Sequence, residues 1–394
     1  DTVGPRAFLA KAAIRAFTLP VLFISRDDFA DSRFYALLLS SLYGACLVVS
    51  SNSFPTLFLG LEIMSLPVYV MVMLAFARSD STEAALKYLV LGGAATATLL
   101  MGASLLYGSS GSLALSAFSD ALASSQPIAV AGTVLVVAAL FLKAAVVPFH
   151  GWAPDAYEGA SVPVTAYMAT VIKAGVLLAA LRLFGAAPVL RPMADLLAVL
   201  ALASMVWGNL AAIRQTSFRR MIAYSSIAHA GYLFFALLGE PSTRYEAVVY
   251  YLVVYGVMNL LAFAALPRGS DDAASDRLDA LKGLFHRQPF AAVMIALAML
   301  SLAGIPPLPG FIAKFLIFRN VIAAGYTTWA VLGLVASYLG IYFYLRVIQY
   351  MFMSAEAPET AAGQPRRLAL LASLVCLVPA IWLSLFPGWL IDKL

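Results

Sequence analysis

Charge is scarce in this chain. Only 11% of its 394 residues are Asp, Glu, Lys or Arg, against roughly 25% in soluble globular proteins. Mean hydropathy is +0.91. Cysteine is scarcer still: Cys46 and Cys376 lie far apart in apolar runs. Neither stands at a metal-ligand spacing, which excludes a zinc or iron–sulfur site and leaves packing as their reading. Three histidines are too few and too dispersed for paired haem ligation in one helix. There is no Gly-rich phosphate loop and no nucleophile–base pair, so the sequence points to no redox or covalent chemistry of its own. The apolar runs do not alternate, which excludes a β-barrel. A net charge of +5, spread over loops, gives no footprint for nucleic acid. What remains is an all-α polytopic membrane protein.

Apolar stretches recur from end to end. They divide into about twelve expected membrane segments: 8–25, 35–52, 55–77, 83–107, 127–150, 160–184, 193–213, 218–238, 245–266, 288–321, 327–352 and 367–390. Residues 108–126 form a small-residue linker with room for a short interfacial helix. Residues 267–287 and 354–366 are polar loops. Most loop arginines fall on one face, among them Arg214, Arg219, Arg220, Arg268 and Arg277. Arg6, Arg182, Arg191, Arg244, Arg319 and Lys393 fall on the other. The positive-inside rule assigns the richer face to the cytoplasm and both chain ends to the opposite side. The opening DTVGPRAFLAKAAIRAF has no initiator methionine, and further residues are expected upstream.

Two segments carry proline clusters. Segment five ends in VVPFHGWAPDAYEGASVPV and segment ten contains LAGIPPLPGF. Proline removes a backbone donor and clashes with the preceding turn, so both helices are expected to unwind. Unwound backbone at membrane depth is tolerated only where it lines a wet or protein-packed site. The breaks lie five segments apart, as in transporters built from inverted repeats. The expected organisation is an N-terminal membrane segment over 1–34, one five-helix repeat over 35–190, a second over 191–353 and a last helix over 354–394.

Five charges lie inside apolar runs: Glu62, Lys87, Lys143, Lys173 and Lys314. A charge at membrane depth costs roughly 2.5 to above 10 kcal/mol, so their presence points to use. Desolvation also brings a lysine towards losing its proton near neutrality, which makes the set a candidate proton relay. For Glu62 two readings stand, a structural ion pair and a gate that holds a nearby lysine protonated. Its available partners are Lys87, Lys143 or a lysine of another subunit. Lys87 is close enough to a helix start to snorkel. His150 follows Lys143 by two helical turns, on the same face of a continuous helix. His229 lies within segment eight, flanked by Tyr224, Ser225, Ser226 and Tyr232. Each histidine reads either as a relay group or as a satisfied core residue.

LFLGLEIMSLPVYV, VVPFHGWAPDAYEGASVPVTAYMATVIKAG, GNLAAIRQTSFRRMIAYSSIAHAGY and MLSLAGIPPLPGFIAKF resemble the antiporter-like membrane subunits of respiratory complex I. EAALKYLVLGG, LLYGSSGS and PDAYEG favour the N type over the related L and M types. The resemblance covers nearly the whole chain. It implies fourteen helices in the full family member, with the first two absent here. It also implies proton translocation in an NADH:quinone oxidoreductase, through Glu62, Lys87, Lys143, His150, Lys173, His229 and Lys314. No cofactor is expected on this chain; NADH, FMN, iron–sulfur clusters and quinone belong to partner subunits. The implied partners are M-type and small K/J-type membrane subunits together with lipid, and the implied location is a bacterial inner membrane, crossed many times. A Mrp-type sodium/proton antiporter subunit and the membrane subunit of a hydrogenase-type complex are the alternatives.

Overall fold

The computed structural model describes residues 4–74, 79–185, 187, 189, 191–268, 276–353 and 366–394. The polar loop expected at 354–366 lies almost wholly outside them. The described residues are helical, with isolated bridges as their only strand-like pairing. Nine of the described helices are long and apolar enough to cross a membrane. The expected count of twelve segments is therefore not reproduced by length and composition alone. α2 (Ser32–Val48) is shorter, and the tenth expected segment is cut in two. α10 (Phe218–Ala236) opens with two arginines.

The other elements are α1 (Pro5–Ser25), α3 (Phe54–Met73), α4 (Ser79–Ser110), a short α5 (Ser116–Ala121) in the small-residue linker, α6 (Pro127–Ala144) and α7 (Trp152–Gly159). α8 runs over Val162–Phe184 and contains a π-turn at Met168–Ile172. Then follow α9 (Arg191–Ile213), α10, α11 (Pro241–Ala265), α12 (Pro289–Ala303), α13 (Pro309–Ala323), α14 (Thr327–Met353) and α15 (Arg367–Leu385). α8 is buried all round and α11 nearly so, whereas α14 and α15 bury about a third of their apolar windows. A helix apolar on every side belongs at the centre of a bundle, so α8 and α11 form its middle.

Local sequence explains the start of α3 and α10. Ser53 accepts from the Thr56 amide in a capping box that opens α3, and Ser217 caps α10 by accepting from the Arg220 amide. These hydroxyls satisfy donors that a helix start leaves free. The linker after α4 then pairs with the start of α3: Phe54 donates to the Leu113 carbonyl at 2.9 Å and Leu115 to Asn52 at 2.9 Å. The loop after α11 pairs with the start of α10 in the same pattern, Phe218 to Asp276 at 2.8 Å and Leu278 to Thr216 at 2.8 Å. One interval separates Ser53 from Ser217, Phe54 from Phe218 and Gly44 from Gly208. A Cβ on Gly44 would meet the Met64 backbone at 2.3 Å, and one on Gly208 the Ala228 backbone at 2.7 Å. The α2–α3 and α9–α10 pairs thus pack backbone to backbone in the manner of small-residue membrane interfaces.

The two pairs point in opposite directions. Arg182, at the end of α8, reaches the start of α3, donating to the Val49 carbonyl at 3.1 Å and to Asn52 Oδ1 at 2.6 Å. Arg219 and Arg220, at the start of α10, reach the α7 end instead. Arg219 donates to the Ala160 carbonyl, and Arg220 pairs with Asp155 at 2.8 Å and Glu158 at 2.9 Å.

Both proline clusters interrupt their helices. α6 stops at Ala144 and the chain resumes as α7 at Trp152; α12 stops at Ala303 and resumes as α13 at Pro309. Each stop is a Schellman turn with the next residue in the left-handed region, Ala145 (φ 59°) and Gly304 (φ 84°). At the first, Val146 donates to Phe141 at 2.9 Å and Ala145 to Leu142 at 3.4 Å. At the second, Ile305 donates to Leu300 at 3.1 Å and Gly304 to Ser301 at 2.9 Å. A cis proline follows each, Pro148 and Pro307.

Candidate functional site

A helix that stops inside the protein leaves carbonyls facing the interior, and these set the site. The last carbonyl of α6, on Ala144, accepts from the Lys173 ammonium at 3.1 Å. Lys173 also donates to the Ser226 carbonyl of α10 at 3.0 Å. The last carbonyl of α12, on Ala303, accepts from Lys314 at 3.0 Å, and Lys314 donates again to Ser337 Oγ at 3.1 Å. Both lysines are buried. A cation at a helix C-terminus is favoured by the helix dipole and by the unpaired carbonyls. The breaks are therefore lysine sockets.

Lys143 occupies the last turn of α6. Its ammonium lies 3.3 Å from Glu62 Oε1, with the lysine side chain 6% and the glutamate 22% exposed. Ser65 Oγ stands 3.5 Å from the same nitrogen. Thr96 of α4 donates to Glu62 Oε1 at 2.5 Å. Glu62 thus takes Lys143, not Lys87, as its partner.

Lys87 lies elsewhere. It is 44% exposed and pairs with Glu83 at 2.7 Å and Asp155 at 2.7 Å. Asp155 in turn holds Arg220 of α10. These groups line a charged cavity of about 390 Å3 with Asp276 and Arg277. Burial pushes the loop carboxyl of Asp276 above its ordinary value, against the opposing pull of Arg219.

His150 does not share a helical face with Lys143, because the chain leaves the helix at Ala145 and turns through Pro148. Its Nε2 accepts from Trp207 Nε1 at 2.8 Å. His229 is buried in α10, as expected, between two tyrosines: Nδ1 shares a hydrogen bond with Tyr251 at 2.7 Å and Nε2 with Tyr344 at 3.0 Å. Tyr344 bonds on to Ser225 at 2.5 Å, and Tyr157 meets Ser226 at 3.3 Å. His229, Tyr251 and Lys314 line one cavity of about 10 Å3, on the order of one water. The Lys314 ammonium sits 5.2 Å from the Tyr232 ring centroid.

Glu62–Lys143, Lys173, the Ser225–Tyr344–His229–Tyr251 chain and Lys314 come from α3, α6, α8, α10, α11, α13 and α14; Lys173 meets the carbonyl next to Lys143 and that of Ser226, and Lys314 shares a cavity with His229 and Tyr251. Thr96, Tyr251, Tyr344 and Ser337 did not stand out in the sequence. The available signal was weak: a hydroxyl on an otherwise apolar helix, which becomes informative only once its neighbour is known. Hydrogen bonds join Glu62 to Lys143 and His229 to Tyr251 and Tyr344, and groups so joined can hold protons and pass them by small rearrangements.

Residues 51–340 match the family described as NADH:quinone oxidoreductase/Mrp antiporter, TM. The chain is 48% identical over 336 residues to NADH-quinone oxidoreductase subunit N of Pelobacter propionicus, covering 85% of this chain and 72% of that one. The chain belongs to the NADH:quinone oxidoreductase/Mrp antiporter membrane family. Among solved structures it is similar to a chain of respiratory complex I from Thermus thermophilus with bound aureothin. That match has a TM-score of 0.84 at 35% identity and covers 100% of this chain and 88% of that one. A chain of the Mrp complex from Dietzia sp. has the same fold, with a TM-score of 0.84 at 23% identity and coverage of 99% and 82%.

Proposed function

We propose that this chain is a proton-translocating membrane subunit of an NADH:quinone oxidoreductase. The observation that carries the reading is the pairing of each helix break with a buried lysine, beside a Glu62–Lys143 ion pair. In this reading Glu62 holds Lys143 protonated. Loss of that attraction lets the proton move on, because an ammonium in a dry site is stable only while a counter-charge or acceptor holds it. A carbonyl accepts a hydrogen bond but does not relay a proton, so the step from Lys143 to Lys173 runs through water. Tyr344 and Tyr251 link His229 to its surroundings, and the His229–Lys314 cavity completes the series. Lys87 belongs to the charged mouth at one end of α4 rather than to the buried series, and His150 to the turn beside it.

Redox energy in this reading arrives from partner subunits that carry NADH, FMN, iron–sulfur clusters and quinone. The partners proposed are M-type and small K/J-type membrane subunits in a bacterial inner membrane, with the face bearing Arg219 and Arg220 in the cytoplasm. The matched α3 and α10 starts and the two matched breaks support two inverted five-helix units, over 35–190 and 191–353, between the segments 1–34 and 354–394. NADH-driven acidification of inverted membrane vesicles tests the function. Lys173→Leu should abolish it while the complex still assembles. Proton movement that follows a sodium gradient without NADH would overturn the reading in favour of an antiporter.

A further inference from the structure

Arg6, at the start of α1, and Arg182, at the end of α8, line one cavity of about 250 Å3 together with Tyr245 and Ser242 of α11. Its lower wall is apolar, formed by Ala10, Leu178 and Leu181 among others, and no carboxylate lines it among the described residues. Both arginines are held. The Arg6 guanidinium stacks 4.5 Å from the Tyr245 ring centroid, and Tyr245 donates to the Arg6 carbonyl at 3.5 Å. Arg182 is fixed by the Val49 carbonyl and Asn52 Oδ1.

We propose that this cavity binds an anionic phospholipid, the phosphate between Arg6 and Arg182 and the acyl chain over Ala10 and Leu178. A planar guanidinium matches a phosphate with two parallel hydrogen bonds, and ordering of both arginines beforehand lowers the cost of binding. The cavity lies where spanning helices end, so its upper wall meets headgroups and its lower wall meets acyl chains. Its volume suits a phosphoglycerol group with its first methylenes, and falls below the roughly 300–1,000 Å3 of sites that enclose whole drug-sized ligands. Bound there, the lipid joins α1 to α8 and α11.

Phosphatidylglycerol with a diazirine in its acyl chain, photolysed in membranes holding the assembled complex, tests this. Labelling of the peptides that carry Ala10 and Leu178 should exceed that by the matching phosphatidylcholine about tenfold. Arg6→Gln with Arg182→Gln should remove the difference. Ala10→Phe, which fills the lower wall and leaves both arginines in place, should lower labelling as well. Co-purification of the complex shows that each variant assembles, and the Ala10→Phe result decides if the arginine pair proves necessary for assembly. Equal labelling by the two lipids in the wild type would overturn the proposal, as would undiminished labelling in Ala10→Phe. Loss of labelling in the presence of inorganic phosphate would show a free-anion site and overturn the lipid assignment.

Discussion

At the first break the helix ends at Ala144, and the lysine that meets its last carbonyl, Lys173, comes from the following helix. At the second the helix ends at Ala303, and Lys314 comes from the resumed half of the same interrupted segment. The backbone is shared: a Schellman stop, a left-handed residue and a cis proline at the same interval. What differs is the charge placed around it. Asp155 follows Pro148 by the interval at which Lys314 follows Pro307, and Asp155 faces an exposed network where Lys314 faces the core. The first break also has Glu62–Lys143 beside it, whereas His229 and tyrosines surround the second. One backbone device therefore supplies a carbonyl-held lysine in each half; the first half adds a second lysine, Lys143, paired with an acid, and the second sets its lysine beside an imidazole.

The largest effect should come from exchanging the held lysines. Lys173→Arg and Lys314→Arg keep the charge but cannot release a proton, since the guanidinium pKa exceeds about 12. Each should lower NADH-driven proton pumping by more than about tenfold, with assembly intact by co-purification. Full pumping by one of the two would break the parallel between the sockets and leave that lysine a fixed charge.

Glu62→Gln tests the side chain that only the first break possesses. It leaves Lys143 buried without its counter-charge and should reduce pumping severalfold, on the order of what breaking a buried pair costs. Glu62→Asp keeps the charge on a shorter reach and should be milder. Wild-type pumping in both variants would reduce Glu62 to a structural role.

The left-handed positions give the smaller effects. At Gly304 a Cβ would meet Lys314 Cδ at 2.9 Å, so the lysine stem excludes a side chain there. Gly304→Ala should cost about 1–2 kcal/mol from backbone conformation and displace Lys314, seen as a lower unfolding temperature together with weaker pumping. Ala145→Gly relieves the same conformation but removes a buried methyl. It should change stability by less than about 1 kcal/mol and leave pumping alone. A pumping defect in Ala145→Gly would show that the first socket is as tightly specified as the second.

Much of this was legible in the sequence. Proline clusters announced both breaks, because a missing donor and a ring clash act locally. Lone charges in apolar runs announced Glu62, Lys143, Lys173 and Lys314, because burial cost acts at each residue; the same signal also picked out Lys87, which stands 44% exposed. Partner choice was not legible. That Glu62 meets Lys143 and not Lys87 depends on how α3, α4 and α6 pack. His150 was misjudged, since counting helical turns from Lys143 assumed a helix that Ala145 and Pro148 end. Thr96 and the tyrosines around His229 looked like ordinary membrane residues until the fold placed them.

The π-turn at Met168–Ile172 sits directly before Lys173. A π-turn holds one residue more than the α-helical path it replaces, and each α-helical residue advances about 100° around the axis. In genetic terms, losing a single codon within this stretch would leave an ordinary α-helix over the same path, with Lys173 and everything after it still facing as they do. Losing one in the α-helical turns beyond Lys173 would instead swing the later residues of α8 by roughly that angle. The π-turn thus lets residue count change without turning Lys173 away from Ala144.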